Sequence, residues 1–215
     1  MGRSGIAANW LIRLVCLTAT VVSLAGCSAS NGATSTVGIV GDSITYLSEP
    51  TIAHALRGWR YDIQAVPGRD VPQMIPLMES QIIKSPDGPP HSLVIDLGTN
   101  DVVHDNLNWA ADWRTLMADT AEVPCLVLFT INTVADGDGL DSRHQRQQGS
   151  PTAQDLNRLI AAARNAGPAR VHVIDWNAAV HRDGALVLPD GIHPTVLGRK
   201  WIAQHIELTL SSVCR

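Results

Sequence analysis

Ser43, Asp190 and His193 are the residues of this chain whose types and spacing could carry out acyl transfer. That chemistry near neutral pH needs a nucleophile, a base, a group that orients the base, and donors for the developing oxyanion. Ser43 follows a short β-branched apolar run, residues 37–40, closed by Gly41 and Asp42. A serine at that point lies at the carboxyl end of a strand, where open α/β sheets place their chemistry. A helix starting behind it adds N–H donors. Taken alone, Ser43 reads equally well as a helix N-cap, a position that serine favours. His193 supplies a base, and Asp190, three residues earlier on a turn, can accept from its second ring nitrogen. Gly68 offers a backbone N–H with no Cβ in the way. The Asn100 side chain offers a second oxyanion donor and the Ser43 N–H a third.

These residues fall in four blocks: Gly41-Asp42-Ser43-Ile44, the lone Gly68 in Val66-Pro67-Gly68-Arg69, Gly98-Thr99-Asn100-Asp101, and Asp190-Gly191-Ile192-His193. In order and content the set resembles the SGNH (GDSL-type) hydrolase family, with Ile44 where the name-giving motif has leucine. Any one block is weak; the ordered set over residues 41–193 is specific. The resemblance implies a flavodoxin-like three-layer α/β/α sandwich and a Ser43–His193–Asp190 esterase. It also implies an oxyanion hole from Ser43, Gly68 and Asn100, and no metal or cofactor. A short-chain preference is implied only at the level of the family. Transfer of the acyl group to a glycan hydroxyl shares the first half of the chemistry. A non-catalytic lipoprotein that binds a glycan or lipid is the reading of a different class. The retention of Ser43, Asn100, Asp190 and His193 together argues against it.

The elements that must position these residues follow from periodicity. Apolar strand-like runs at 37–40, 61–66, 92–97, 124–130 and 171–174 alternate with helical patterns at 49–56, 71–84, 106–120, 152–166 and 196–210. Pro72 and Pro76 predict a kink or a late start in the second helix. Thr152 with Asp155 resembles a capping pair. The alternation predicts an α/β domain with a five-stranded parallel sheet and helices on both faces. Residues 134–149 have no apolar period and read as a long loop over the strand ends. The sequence leaves the strand order open.

Residues 1–26 read as a signal segment. Arg3 and Arg13 precede an apolar run, residues 14–25, too short for a comfortable membrane span. It ends in Leu24-Ala25-Gly26-Cys27, which resembles a bacterial lipobox and implies lipidation of Cys27. Residues 27–36 then form a small, polar tether, and residues 37–215 the hydrolase domain. The expected location is the extracytoplasmic face of the cell membrane, held by more than one acyl chain, because a single chain anchors weakly. Cys125 and Cys214 remain as an even pair in an exported protein, and a disulfide between them is expected.

With 45% apolar and 17% charged residues and a formal net charge of −4, the composition is ordinary for a globular domain. No basic run points to nucleic acid. The expected partner is a small-molecule, glycan or lipid ester, and oligomeric state is not legible. Asp136, Asp138 and Asp141 resemble a calcium loop, but the acid that closes such a loop would fall on Gln147. Arg143 and Arg146 read as solvated loop residues, and Trp109, Trp113 and Trp201 as core. The remaining histidines, His104 among them, have no carboxylate at a matching offset in a strand-end block.

Overall fold

A computed structural model of the chain describes residues 36–133 and 147–214. Cys27, the signal segment, and the residues Asp136, Asp138, Asp141, Arg143 and Arg146 lie outside them. Five parallel strands form one sheet: β1 (Thr36–Gly41), β2 (Arg60–Ala65), β3 (Ser92–Asp96), β4 (Cys125–Phe129) and β5 (Val171–Ile174). Their order is β2-β1-β3-β4-β5. The chain leaves β1 in one direction to make β2 and returns in the other to make β3. That reversal opens a crevice at the carboxyl ends of β1 and β3, where such sheets bind ligands. Gly41 pairs with both Ala65 and Asp96, so the three strand ends stop at one level.

β3 and β4 are buried along their whole length, as expected for strands covered on both faces. One face packs against α1 (Ser43–Ala55), α6 (Trp176–Arg182) and α7 (Val196–Val213), through Ile44, Ile52, Trp176, Ile202, Ile206 and Leu210. The other packs against α2 (Val71–Met78), α4 (Trp109–Asp119) and α5 (Ala153–Ala166), through Met74, Met78, Trp113, Leu116 and Ile160. The short α3 (Thr99–Val103) follows β3 directly. The three-layer sandwich expected from the alternation is present, and its five strands are those the apolar runs mark. Among the described residues no helix is long and apolar enough to cross a membrane.

Three local readings differ. α1 begins at Ser43, as the helix expected behind the serine, and runs through Pro50, so the pattern read over 49–56 is its second half and not a separate helix. The second helix starts at Val71 with Pro72 in its first turn, where the missing N–H is harmless. It neither starts late nor breaks at Pro76, but widens into a π-helical turn over Glu79–Ile83. α3 and α6, of five and seven residues, are too short to show a helical period. The cap of α5 is as read: the Thr152 hydroxyl accepts from Asp155 N–H, and the Asp155 side chain accepts from Thr152 N–H.

Candidate active site

Ser43 is the first residue of α1. Its predecessor, Asp42, is the cap: its carboxylate accepts from the Ile44 N–H at 2.9 Å. The capping role considered for Ser43 therefore belongs to Asp42, which leaves the serine hydroxyl available. The Ser43 Oγ lies 3.0 Å from His193 Nε2, across 150 residues of chain. On the other side of the ring, His193 Nδ1 lies 2.8 Å from Asp190 Oδ2. The second oxygen, Asp190 Oδ1, accepts from the N–H groups of Ile192 and His193, both at 2.9 Å. Partial burial works to raise the Asp190 carboxyl, but the His193 ring and these two N–H groups outweigh it and hold it below the usual value. Asp190 thus stays ionised, ready to orient the imidazole and to stabilise it once protonated.

Gly68 and Asn100 are placed by β2, β3 and the loops after them. Gly68 has φ +72°, with nothing within 4 Å of where a Cβ would sit. Its glycine is required by the left-handed backbone and not by crowding. The next three residues are held by α3. Arg69 C=O accepts from Asn100 Nδ2 at 3.2 Å, Asp70 Oδ1 meets His104 Nδ1 at 2.7 Å, and Val71 N–H donates to Asp101 Oδ2 at 3.0 Å. Asn100 Nδ2 also donates to Asp42 Oδ2 at 2.9 Å. Both Asn100 amide hydrogens are therefore engaged by the protein.

Beneath these residues lie three buried acids. Burial first, then the Asp96 carboxylate and Asp101, push Asp42 well above the ordinary carboxyl value; the Ile44 N–H and the Asn100 amide oppose this. Burial raises Asp96 to about 6 against the opposing hydrogen bond from Thr45 Oγ1, at 2.8 Å. Burial likewise raises Asp101 to about 6, against Asn106 and the Val71 N–H. Gly41 lets this cluster close: a Cβ there would collide with Thr45.

All five residues read from the sequence, Ser43, Gly68, Asn100, Asp190 and His193, sit at or just beyond the carboxyl ends of the strands or on the loop leading into α7. Sequence reasoning missed two supports. His104 finds its acid in Asp70, 34 residues away, which no local offset reveals. Asn132, buried just past β4, donates to the Gly191 carbonyl at 2.7 Å and ties down the histidine loop. A polar residue directly after a fully apolar strand was the available signal. Cys125 and Cys214 form the expected disulfide. Among the described residues, the only grouping of metal-ligand side chains is Cys125, His172 and Cys214, whose thiols that bond already uses.

The sheet order and the helical layers give the α/β fold seen in solved GDSL-like lipases and acylhydrolases. The chain is similar to the C-terminal catalytic domain of peptidoglycan O-acetyltransferase A from Streptococcus pneumoniae: 17% identity, 84% of this chain and 94% of that one, TM-score 0.62. It is similar to a GDSL-like lipase from Bacteroides thetaiotaomicron, at 17% identity over 83% of this chain and 87% of that one, TM-score 0.63. An acetyl xylan esterase matches at 14% identity over 83% of this chain and all of its own length, TM-score 0.62. At these identities the likeness speaks for the fold. No protein-family model and no curated protein sequence matches the chain.

Proposed function

We propose that the chain is an exported, lipid-anchored serine esterase that cleaves acyl esters through Ser43, His193 and Asp190. The observation that carries the reading is the continuous relay Asp190 Oδ2–His193–Ser43 Oγ, with hydrogen-bond distances of 2.8 and 3.0 Å, within general-base reach. Ser43 Oγ attacks the ester carbonyl carbon as its proton passes to His193 Nε2. The carbonyl oxygen takes the negative charge and is met by the N–H groups of Ser43 and Gly68 and by Asn100 Nδ2, which leaves Arg69 C=O. The C–O bond to the alcohol then breaks, and His193 returns the proton to the departing oxygen. Water attacks the acyl-serine, with His193 again taking a proton, and releases the acid and free Ser43. Asp190 keeps its charge throughout and balances the imidazolium. Export and anchoring rest on the signal segment and Cys27.

A second reading, transfer of the acyl group to a sugar hydroxyl, is favoured by the likeness to the O-acetyltransferase domain. It differs only in what attacks the acyl-serine. Purified protein is expected to hydrolyse p-nitrophenyl esters and to be labelled by a fluorophosphonate, and Ser43→Ala to lose both while its circular dichroism is unchanged. Folded Ser43→Ala with parental turnover would refute the assignment. Folded parent that is neither active nor labelled would favour the binding lipoprotein.

A further inference from the structure

A groove beside the Gly68 loop carries a charge that the catalytic relay does not use. It has a volume of about 450 Å³ and apolar walls from Val66, Met74, Pro76 and Leu77, with Gln73 and Arg69 as its main polar groups. That volume is within the range of small-molecule sites. Arg69 is the only charged residue lining it. The Arg69 side chain has no ion-pair partner among the described residues, whereas its neighbours are engaged: Asp70 with His104, Asp42 with Asn100, and Asp101 with Val71 N–H and Asn106. An exposed, unpaired cation in a groove without acids attracts an anion, and its planar fork matches a carboxylate.

Two of the groove's lining residues, Val66 and Arg69, flank Gly68 in sequence and are bonded through their backbones to the site's strand end and to Asn100. Arg69 C=O accepts from Asn100, and the Val66 N–H donates to Gly41 C=O at 3.1 Å, two residues before Ser43. The groove lies in the α2 layer, whereas His193 enters just before α7, in the layer on the opposite face of the sheet. The alcohol oxygen must face His193, which protonates it. The α2 side is thereby left to the acyl half of the ester.

We infer that this groove is an acyl subsite for short acyl chains ending in a carboxylate, the half-esters of dicarboxylic acids, with Arg69 as the charge partner. Methylenes lie on Val66 and Leu77, and the terminal carboxylate meets the guanidinium. This rests on the esterase reading above.

The test compares 4-nitrophenyl hydrogen adipate with 4-nitrophenyl hexanoate, which share a leaving group and a chain length. The preference, the ratio of kcat/KM for adipate over hexanoate, is expected to fall about tenfold in Arg69→Gln, the size of one hydrogen bond to a charged group. The loss should appear mainly in KM, be larger in Arg69→Glu and be only partly restored in Arg69→Lys, which keeps the charge without the planar fork. An unchanged ratio, or an equal fall on both esters, overturns the subsite. A second measurement does not depend on turnover: millimolar adipate should raise the Tm of the parent and not of Arg69→Gln, while hexanoate does neither. Parent that cleaves both esters with no Arg69 effect keeps the esterase and removes the subsite. Adipate stabilisation through Arg69 without turnover keeps the subsite as a binding site and removes the esterase.

Discussion

Asn100 shows how single side chains set the site. Its amide nitrogen is shared between the Asp42 carboxylate and the Arg69 carbonyl. The shorter of the two bonds, to Asp42, fixes the side chain. Removing it should lower kcat by about 10²–10³, as for one oxyanion donor. Asn100→Ala measured on a p-nitrophenyl ester is expected to show this with little change in KM; an unchanged kcat would take Asn100 out of that role. The site was legible to the extent that its chemistry is written in short local motifs. Asp190 and His193 sit on one turn, and Gly98 to Asp101 form one block. The pairs Asp42–Asn100 and Asp70–His104 span 58 and 34 residues. They exist only because β1, β2 and β3 end at one level, so no spacing rule could have found them. Asp42 accepts from the Ile44 N–H two residues on, a local bond, whereas Asp101 accepts from the Val71 N–H, 30 residues away.

Between elements, the buried acids act as polar ties. Asp96 at the end of β3 accepts from Thr45 on α1, and Asp101 on α3 accepts from the first residue of α2. Such groups are costly to bury when charged, and here the cost has a direction with pH. An acid whose folded-state value lies above its usual 3.8 favours the folded state fully below that value, and the favour is lost as pH rises through the folded value of about 6. His172, lowered by burial and by Arg164, works the other way, but it is a single, partly exposed group against buried carboxyls. Tm should therefore rise as pH falls from 8 to 5. Asp96→Asn, which keeps an acceptor for Thr45, should raise Tm at pH 8 and flatten that slope, and His172 cancels between parent and variant. Burying a carboxyl that titrates at about 6 rather than 3.8 costs at most roughly 3 kcal/mol at pH 8. A variant with the parental slope would show that Asp96 is not the source. Elements were readable where burial leaves a continuous apolar run, as in β1, β3 and β4, or a helical period, as in α5. The continuity of α1 was hidden by Pro50: Ile44, Ile52 and Leu56 bury together, and packing overrides a local breaker. α6 has too few residues for a period, although Asp175, which accepts from the Ala178 N–H, was a usable start signal.

At the scale of the molecule, the disulfide joins the first residue of β4, in the sheet, to the C-cap of α7, the helix that follows the histidine loop. The two cysteines are 89 residues apart with Cα atoms 5.5 Å from each other, and both are buried. Closing a loop of that length restricts the unfolded chain by roughly 4–5 kcal/mol on the entropy model. That is a large share of the roughly 5–15 kcal/mol typical of a domain. The bond lies at the amino end of β4, whereas Ser43 lies past the carboxyl end of β1, so the parallel sheet separates it from the residues proposed to be catalytic. Stability and catalysis should respond differently to its loss. Cys125→Ser/Cys214→Ser is expected to lower the urea midpoint and Tm substantially, with the m-value raised because the freed unfolded chain exposes more surface, while kcat measured well below the new Tm stays within about twofold of the parent. Reduction of the parent should reproduce the stability loss, and the double variant should be indifferent to reductant. If instead kcat fell at temperatures where the variant is fully folded, α7 would be transmitting the bond to His193, and the separation of stabilising and catalytic ends would be wrong.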